Sequence, residues 1–226
     1  MKAKSKQVKI IAICVLVALA SLFAFNVTYS YFSATHSING TIKFSNLKAT
    51  MIATDKDSNE TELTNTTTIY VVNGSDVGLG KAFGISYQSN SDNAYSFGVL
   101  NPVDSCNCYV RFWIDAYIVG DTTTNYGQYF VLGNISNQTF TSATTGTNAK
   151  LALNSTDKST YYVKETMEAN GETIDFFNAI EISNQAPAEL MGKDVQISIS
   201  FNAIQASNGA VQTWASDQHG KYSSWT

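Results

Sequence analysis

The chain has 226 residues, 44% of them hydrophobic and only 14% charged, and its 18 acidic and 14 basic residues give a formal net charge of −4. The basic residues beyond the N-terminal segment are scattered, which disfavours a nucleic-acid partner, because nucleic-acid binding needs clustered Lys and Arg. The low charge and the abundance of Ser, Thr, Asn and Gly are typical of an exported β-protein and disfavour a cytosolic helical enzyme.

Residues 1–30 have the pattern of a secretion signal. Four lysines precede an apolar or small-residue run from Ile10 to Phe25. Thr28 and Ser30 are small residues suitably placed before a cut, so we expect cleavage between Ser30 and Tyr31. Cleavage would remove four basic and no acidic residues and would change the net charge from −4 to −8. The alternative is an uncleaved membrane anchor, since the run is only just short of the roughly 20 apolar residues that span a bilayer.

Residues 31–40 are a predicted N-terminal arm. Its aromatic and apolar residues, with those of the strand that follows, make an assembly candidate: Tyr31, Phe32, Ile38, Ile42 and Phe44. Ile38, Ile42 and Phe44 alternate with polar residues, and no proline interrupts the stretch, so it is suited to pair as a donor strand with an exposed sheet edge. The alternative is a disordered terminus.

The stretch Thr41–Ala53 is a predicted strand, and the loop after it is a calcium candidate. Asp55, Asp57 and Asn59 place oxygen ligands at alternate positions, as calcium loops do. The sixth position is Glu60 rather than Gly, and Asp, Asn and Ser are also ordinary residues of a hairpin turn. We therefore favour a turn without a metal.

Further strands are predicted between turn-rich breaks such as "NGSDVGLG" and "DTTTNYG". They are Thr66–Val72, Phe83–Gln88, Tyr95–Leu100, Tyr109–Val119, Gln128–Leu132, Thr160–Lys164, Thr173–Ile182 and Val195–Ala203. No long helix is predicted after residue 30. One antiparallel β-sandwich domain over residues 41–226 accounts for this pattern, with a long polar surface excursion near 133–158 that holds at most a short element at Ala149–Leu153.

Two cysteines, Cys106 and Cys108, lie in the turn before the most regular strand. Residues two apart on an extended chain are at the edge of disulfide reach, and no further metal ligand lies nearby in the sequence. We therefore expect two structural cysteines, either unpaired or bridged to each other. His36 and His219 lack any partner at zinc-binding spacing, so two solvent-facing histidines without a metal or catalytic role are expected.

The strand Tyr109–Val119 alternates strictly between two kinds of side chain. Its inward face is predicted to carry Val110, Phe112, Ile114, Ala116 and Ile118. The outward face would carry Tyr109, Trp113 and Tyr117, which form a candidate binding surface for sugars or a neighbouring subunit. The alternative is an outer face packed under loops. Val195–Ala203 alternates in the same way, with Gln196, Ser198, Ser200 and Asn202 outward.

The junction "TYSYFSATHSINGTIKFSNLKATM" resembles the start of the mature chain in TasA/camelysin-like exported proteins of Gram-positive bacteria. The matching residues are the stretch Ser30–Ser33 and the strand Gly40–Phe44; "CYVRFWIDAY" and "GKDVQISISFNAIQA" are also similar to relatives of this class. The resemblance implies a jelly-roll-like sandwich, a signal cut by a SipW-type signal peptidase, and subunits that polymerise into matrix fibres by donating their N-terminal strand.

The sequence thus predicts a secreted structural or interaction protein of the cell surface or biofilm matrix, which self-associates and needs no cofactor. Two alternatives from other classes stay open. One is a surface metalloprotease, which the resemblance to camelysin implies. The other is a membrane-anchored adhesin or carbohydrate-binding module.

Overall fold

The structure, a computed structural model, describes residues 47–63, 66–72, 74, 77–85, 95–207 and 209–225. The predicted cleavage site Ser30–Tyr31 and the arm residues Tyr31, Phe32, Ile38, Ile42 and Phe44 lie outside the described residues. No helix within the described ranges has the length and apolar character needed to cross a membrane.

The described residues form thirteen strands and three short 3-10 helices. The strands are β1 Thr50–Thr54, β2 Glu60–Glu62, β3 Thr66–Val72, β4 Ala82–Gly84, β5 Ser96–Leu100, β6 Cys108–Ile118, β7 Phe130–Ser136, β8 Thr139–Ser142, β9 Leu151–Leu153, β10 Thr160–Val163, β11 Thr173–Phe177, β12 Ala179–Ile182 and β13 Val195–Gln205. The 3-10 helices are Gly127–Tyr129, Ala188–Leu190 and Ala210–Trp214.

The strands build three antiparallel sheets. Sheet A has the order β11-β5-β1-β2, sheet B the order β3-β13-β6-β10-β9, and sheet C the order β4-β12-β7-β8. The segment 173–182 joins sheets A and C, because β11 pairs with β5 in sheet A and β12 pairs with β4 and β7 in sheet C. Both sheets pack against sheet B: the Phe112 ring of β6 meets Phe177 of β11 edge-on at 5.5 Å, and the Tyr161 hydroxyl of β10 accepts a hydrogen bond from the Leu132 amide of β7.

The core between these layers follows the predicted alternation. β6 and β13 pair along their whole lengths, from Val195 opposite Ile118 to Gln205 opposite Cys108. The inward residues of both strands are buried except Ile118, which is partly buried, with Phe112 completely enclosed and Phe201 only 2% exposed. Period-two alternation gives one apolar face per strand, and two such faces stacked on each other exclude water. The all-β, antiparallel sandwich predicted from the sequence is confirmed.

The expected polar excursion over 133–158 instead carries strands at the sheet edges. β7 continues to Ser136, and a two-residue turn at Asn137 and Gln138, with φ of 50° and 64°, returns the chain as β8. Two consecutive positive φ values match the twist of a tight hairpin, but the sequence lacks the Asn-Gly pair that usually marks one. β9 follows at Leu151–Leu153, inside the short element predicted at Ala149–Leu153. The segment Thr173–Ile182, predicted as one strand, is two strands separated at Asn178.

A second hydrophobic cluster lies on the outer face of sheet B, away from the main core. Residues 209–225, which we call the cover segment, pack on this face through Val211, Trp214 and Trp225. They cover outward residues of β6, β10 and β13: Tyr109, Arg111, Thr160, Tyr162 and Ile204 are each at most 8% exposed. Ser200 and Asn202, predicted to point outward, lie on this face of β13 but are only 2% and 8% exposed.

Candidate functional site

One groove lies beside two edge strands, β8 and β11, and beside the loop that leads into a third, β9. β8 is the last strand of sheet C, β9 the last of sheet B, and β11 the first of sheet A. The groove has a volume of about 440 Å³ and is lined mainly by hydroxyl and amide side chains of residues 141–148, with Lys150, Asp175 and Phe176 in its wall. A second groove of about 440 Å³ adjoins it and shares Lys150 and Phe176, with Val163, Met167 and Ile174 adding apolar surface.

Lys150 lies in the wall that the two grooves share and contacts both neighbouring residues of β11 there. Its Nζ donates a hydrogen bond of 3.2 Å to the main-chain oxygen of Asp175 and lies 5.8 Å from the centre of the Phe176 ring. Partial burial raises the pKa of the Asp175 carboxyl above its ordinary value, and the nearby Lys150 charge opposes this shift. The first groove thus has polar walls with charges of both signs and one apolar contact, the Phe176 ring, while the second groove adds more apolar surface.

The main chain of β9 leaves one side available for pairing. The Lys164 amide donates to the Lys150 oxygen at 2.9 Å, and the Asn154 amide donates to the Thr160 oxygen at 2.8 Å. In an antiparallel ladder the bonded positions alternate, so the amides and carbonyls of Leu151 and Leu153 point away from β10. Leu153 is also 39% exposed, which is high for a leucine. An edge of this kind is a template for an added strand.

The predicted aromatic binding surface is only partly exposed. Tyr109 is buried and stacks on Trp225, with ring centres 4.9 Å apart. Trp113 is half-buried and stacks on His219 at 4.3 Å. Tyr117 lies on the same face beyond these contacts and is partly buried. The alternative of an outer face packed under the chain itself therefore describes Tyr109 and Trp113.

A buried arginine anchors the cover segment to sheet B. Arg111 is 2% exposed, and its guanidinium lies 4.1 Å from the centre of the Trp214 ring. Its Nη1 donates to the Gly220 oxygen at 2.7 Å, and its Nη2 donates to the Asp217 carboxylate at 3.1 Å. Burial lowers the pKa of Arg111, and the Asp217 carboxylate counteracts that shift. A charge in such a site stays favourable only because these partners compensate for lost hydration.

His219 is part of the same contact, so the expected solvent-facing position is wrong for this histidine. Its Nδ1 lies 2.8 Å from the Thr160 hydroxyl, which in turn bonds the Asp157 carboxylate at 2.6 Å, and its Nε2 lies 2.8 Å from the Gln218 amide nitrogen. All these contacts are satisfied when neutral His219 donates from Nδ1 and accepts at Nε2. Burial lowers the pKa of His219, and the Arg111 charge lowers it further.

The calcium candidate forms the turn between β1 and β2. The Asp55 carboxylate accepts hydrogen bonds from the amides of Asp57 and Asn59 at 2.9 and 2.8 Å, and from the Asn59 side chain. The Asn59 contacts lower the pKa of Asp55. The carboxylate thus closes a hairpin turn from within the loop. Among the described residues, no group of three or more His, Cys, Asp or Glu side chains is placed to share a metal ion.

The two cysteines are not joined by a disulfide. Cys108 begins β6 and is completely buried, and its main chain exchanges two hydrogen bonds with Met167. Burial raises the pKa of the Cys108 thiol to about 12. The thiol therefore stays protonated and unreactive at neutral pH.

The chain was compared with models of protein families, with curated proteins and with solved structures, and none of them matches it.

Proposed function

We propose that this protein is an exported structural subunit of extracellular or biofilm-matrix fibres, in which each molecule donates its N-terminal arm to its neighbour. The observation that carries the proposal is the edge strand β9, whose outward main chain directly follows Lys150, a residue of the groove beside β8 and β11. An edge strand with outward amides and carbonyls offers main-chain pairing, and the two grooves next to Lys150 offer pockets for side chains. The secretion pattern of residues 1–30 and the alternating arm before β1 supply the other half of the interaction.

The arm has the chemistry that the groove requires. Ile38, Ile42 and Phe44 would pack on the apolar surface of the two grooves, and the polar residues between them would face the hydroxyl- and amide-lined wall. An unpaired strand edge promotes unordered aggregation. Pairing the edge with an arm in one defined register gives an ordered assembly instead. The role proposed is not enzymatic; chelator-sensitive cleavage of casein by the purified protein would instead favour the metalloprotease alternative.

The decisive experiment removes the donor and the acceptor separately. Deletion of Tyr31–Asn39 should leave a soluble folded protein that forms no filaments in electron micrographs. Leu153→Pro should also abolish filaments, because it removes an outward amide of β9, whereas the matched control Leu153→Ala keeps the amide and should assemble. Filaments from the deleted chain would overturn the proposal. Filaments from Leu153→Pro, with none from the deleted chain, would place the acceptor at another edge.

A further inference from the structure

The outer face of sheet B has the features of a peptide-binding surface, and the cover segment occupies it. We propose that this face also binds the cover segment of a second copy of the chain, so that two molecules exchange residues 209–225. Such a contact would be separate from the arm-donating contact and does not depend on it.

The recognition groups of the face converge on the main chain of the cover segment. Asn154 Nδ2 donates to the His219 oxygen at 3.1 Å, and the Tyr162 hydroxyl donates to the same oxygen. Arg111 binds the next carbonyl, that of Gly220, and the carboxylate of Asp217. Asn154, Tyr162 and Arg111 thus donate hydrogen bonds to two consecutive main-chain carbonyls and one carboxylate of the segment. None of these contacts requires the bound segment to belong to the same chain.

Aromatic anchors supply the apolar part of the contact. Trp225 is 2% exposed, stacks on Tyr109 and donates from its ring nitrogen to the Val163 oxygen at 3.0 Å. Trp214 is 4% exposed and covers the Arg111 guanidinium. Tryptophan, tyrosine and arginine in desolvated pockets are the residues that dominate binding energy at protein interfaces.

The cover segment is structurally separate from the sandwich. Its buried residues Ala210, Val211, Trp214 and Trp225 belong to the outer cluster, and the core between the sheets contains no residue of the segment. No described residue of the segment pairs in a strand ladder. It joins β13 only through residues 206–208. The segment can therefore leave one face and occupy another without breaking a sheet.

The contact also contains a defect that limits how tightly the segment docks, whether on its own chain or on a second one. Arg111 and Asn202 face each other across the β6–β13 ladder, and Arg111 Nε and Asn202 Oδ1 are buried with no hydrogen-bond partner among the described residues. Buried polar atoms without partners oppose burial of the face.

Exchange between two molecules reproduces every contact of the docked segment, so the free energy that it costs is little more than that of association itself. A short connection gives the attached segment an effective concentration of about 1 mM. Exchange is therefore expected in dense assemblies, or when docking within one chain is damaged.

Complementary variants test the proposal. Trp225→Ala damages the segment but keeps the face, and Tyr109→Ala damages the face but keeps the segment. In a mixture, the intact segment of the second variant should dock on the intact face of the first, giving a two-chain complex in sedimentation equilibrium that neither variant forms alone. Circular dichroism should show that both variants are folded. If Tyr109→Ala is not, Arg111→Met replaces it as the face-damaged partner.

The matched control pairs Trp225→Ala with Val103→Ala. Val103 is 73% exposed and lies outside the outer face, so that chain keeps its own segment docked and should form no such complex. Association through the N-terminal arm would occur equally in both mixtures. A complementary mixture that sediments like the control mixture would overturn the proposal.

Discussion

At the residue scale, His219 is the titratable group whose protonation opposes docking of the cover segment. The groups around it are Arg111 of β6, Asp157 and Thr160 of the β9–β10 turn and strand, and Asp217 and Gln218 of its own segment. The two carboxylates favour the protonated form, but burial and Arg111 outweigh them and lower the pKa of His219. Protonation would also place a new N–H at Nε2 against the Gln218 amide, a donor facing a donor.

We therefore predict that acidification weakens the fold through His219. Because its pKa is lower in the folded than in the unfolded chain, the unfolded chain binds more protons between these two values, and stability falls as the pH drops through that window. The window begins at about 6.5, the ordinary pKa of histidine, and extends downward. Urea unfolding followed by circular dichroism at a series of pH values measures the effect.

His219→Gln is the control, since it keeps polar atoms beside Thr160 but cannot titrate. Its stability should vary less than that of the wild type over the same pH window. Equal slopes for the two proteins would contradict the assignment to His219. The Asp217 carboxyl has a lowered pKa and acts only at more acidic pH, so it does not confuse the comparison.

At the element scale, β6 and β13 carry the main core, and their inward and outward residues should differ in energetic cost. Replacing Phe112 or Phe201 with Ala should destabilise the protein by about 3–5 kcal/mol, because each leaves a cavity between the two layers. The control is Gln196→Ala on β13, which changes an exposed side chain and should cost within about 0.5 kcal/mol. Denaturant midpoints measure the difference. Indistinguishable midpoints would contradict the placement of these faces.

The sequence predicted the elements whose pattern is long and regular. β3 has the predicted bounds, and β6 and β13 were predicted because apolar and polar residues alternate over many positions in each. β2 and β8 were missed because they are short hairpin partners rich in polar residues. The groove was not predictable, since it depends on which strands end the sheets, and pairing order has no local signal.

The cover segment was missed for a different reason. Residues 209–225 show neither helical nor strand periodicity, and their polar composition indicates a solvated tail. The signal that was present is the concentration of Trp214, Tyr222 and Trp225 in so short a stretch. Tyr109 and Trp113 on the outward face of a strand needed a partner layer, and the segment supplies it: Trp225 stacks on Tyr109, and His219 stacks on Trp113.

At the scale of the whole molecule, removal of residues 1–30 is expected to decide whether the protein is released or tethered. We predict that the exported protein begins at or within a few residues of Tyr31 and that Ser30→Arg blocks maturation, because the cleavage pocket of a signal peptidase accepts small side chains. Intact-mass measurement of the exported protein checks both. Retention of residues 1–30 in exported wild-type protein would instead indicate an anchor. Asn39→Arg, which adds the same charge outside the cleavage site, is the control and should mature normally.

All three tryptophans of the chain, Trp113, Trp214 and Trp225, lie at the contact between the cover segment and sheet B, and the main core contains none. Intrinsic tryptophan fluorescence of this protein is therefore a reporter of segment docking. It does not observe the sandwich interior directly. Release of the segment would change the emission spectrum while the sheets stay intact, so an early fluorescence transition that precedes loss of the β-sheet signal would record undocking rather than unfolding.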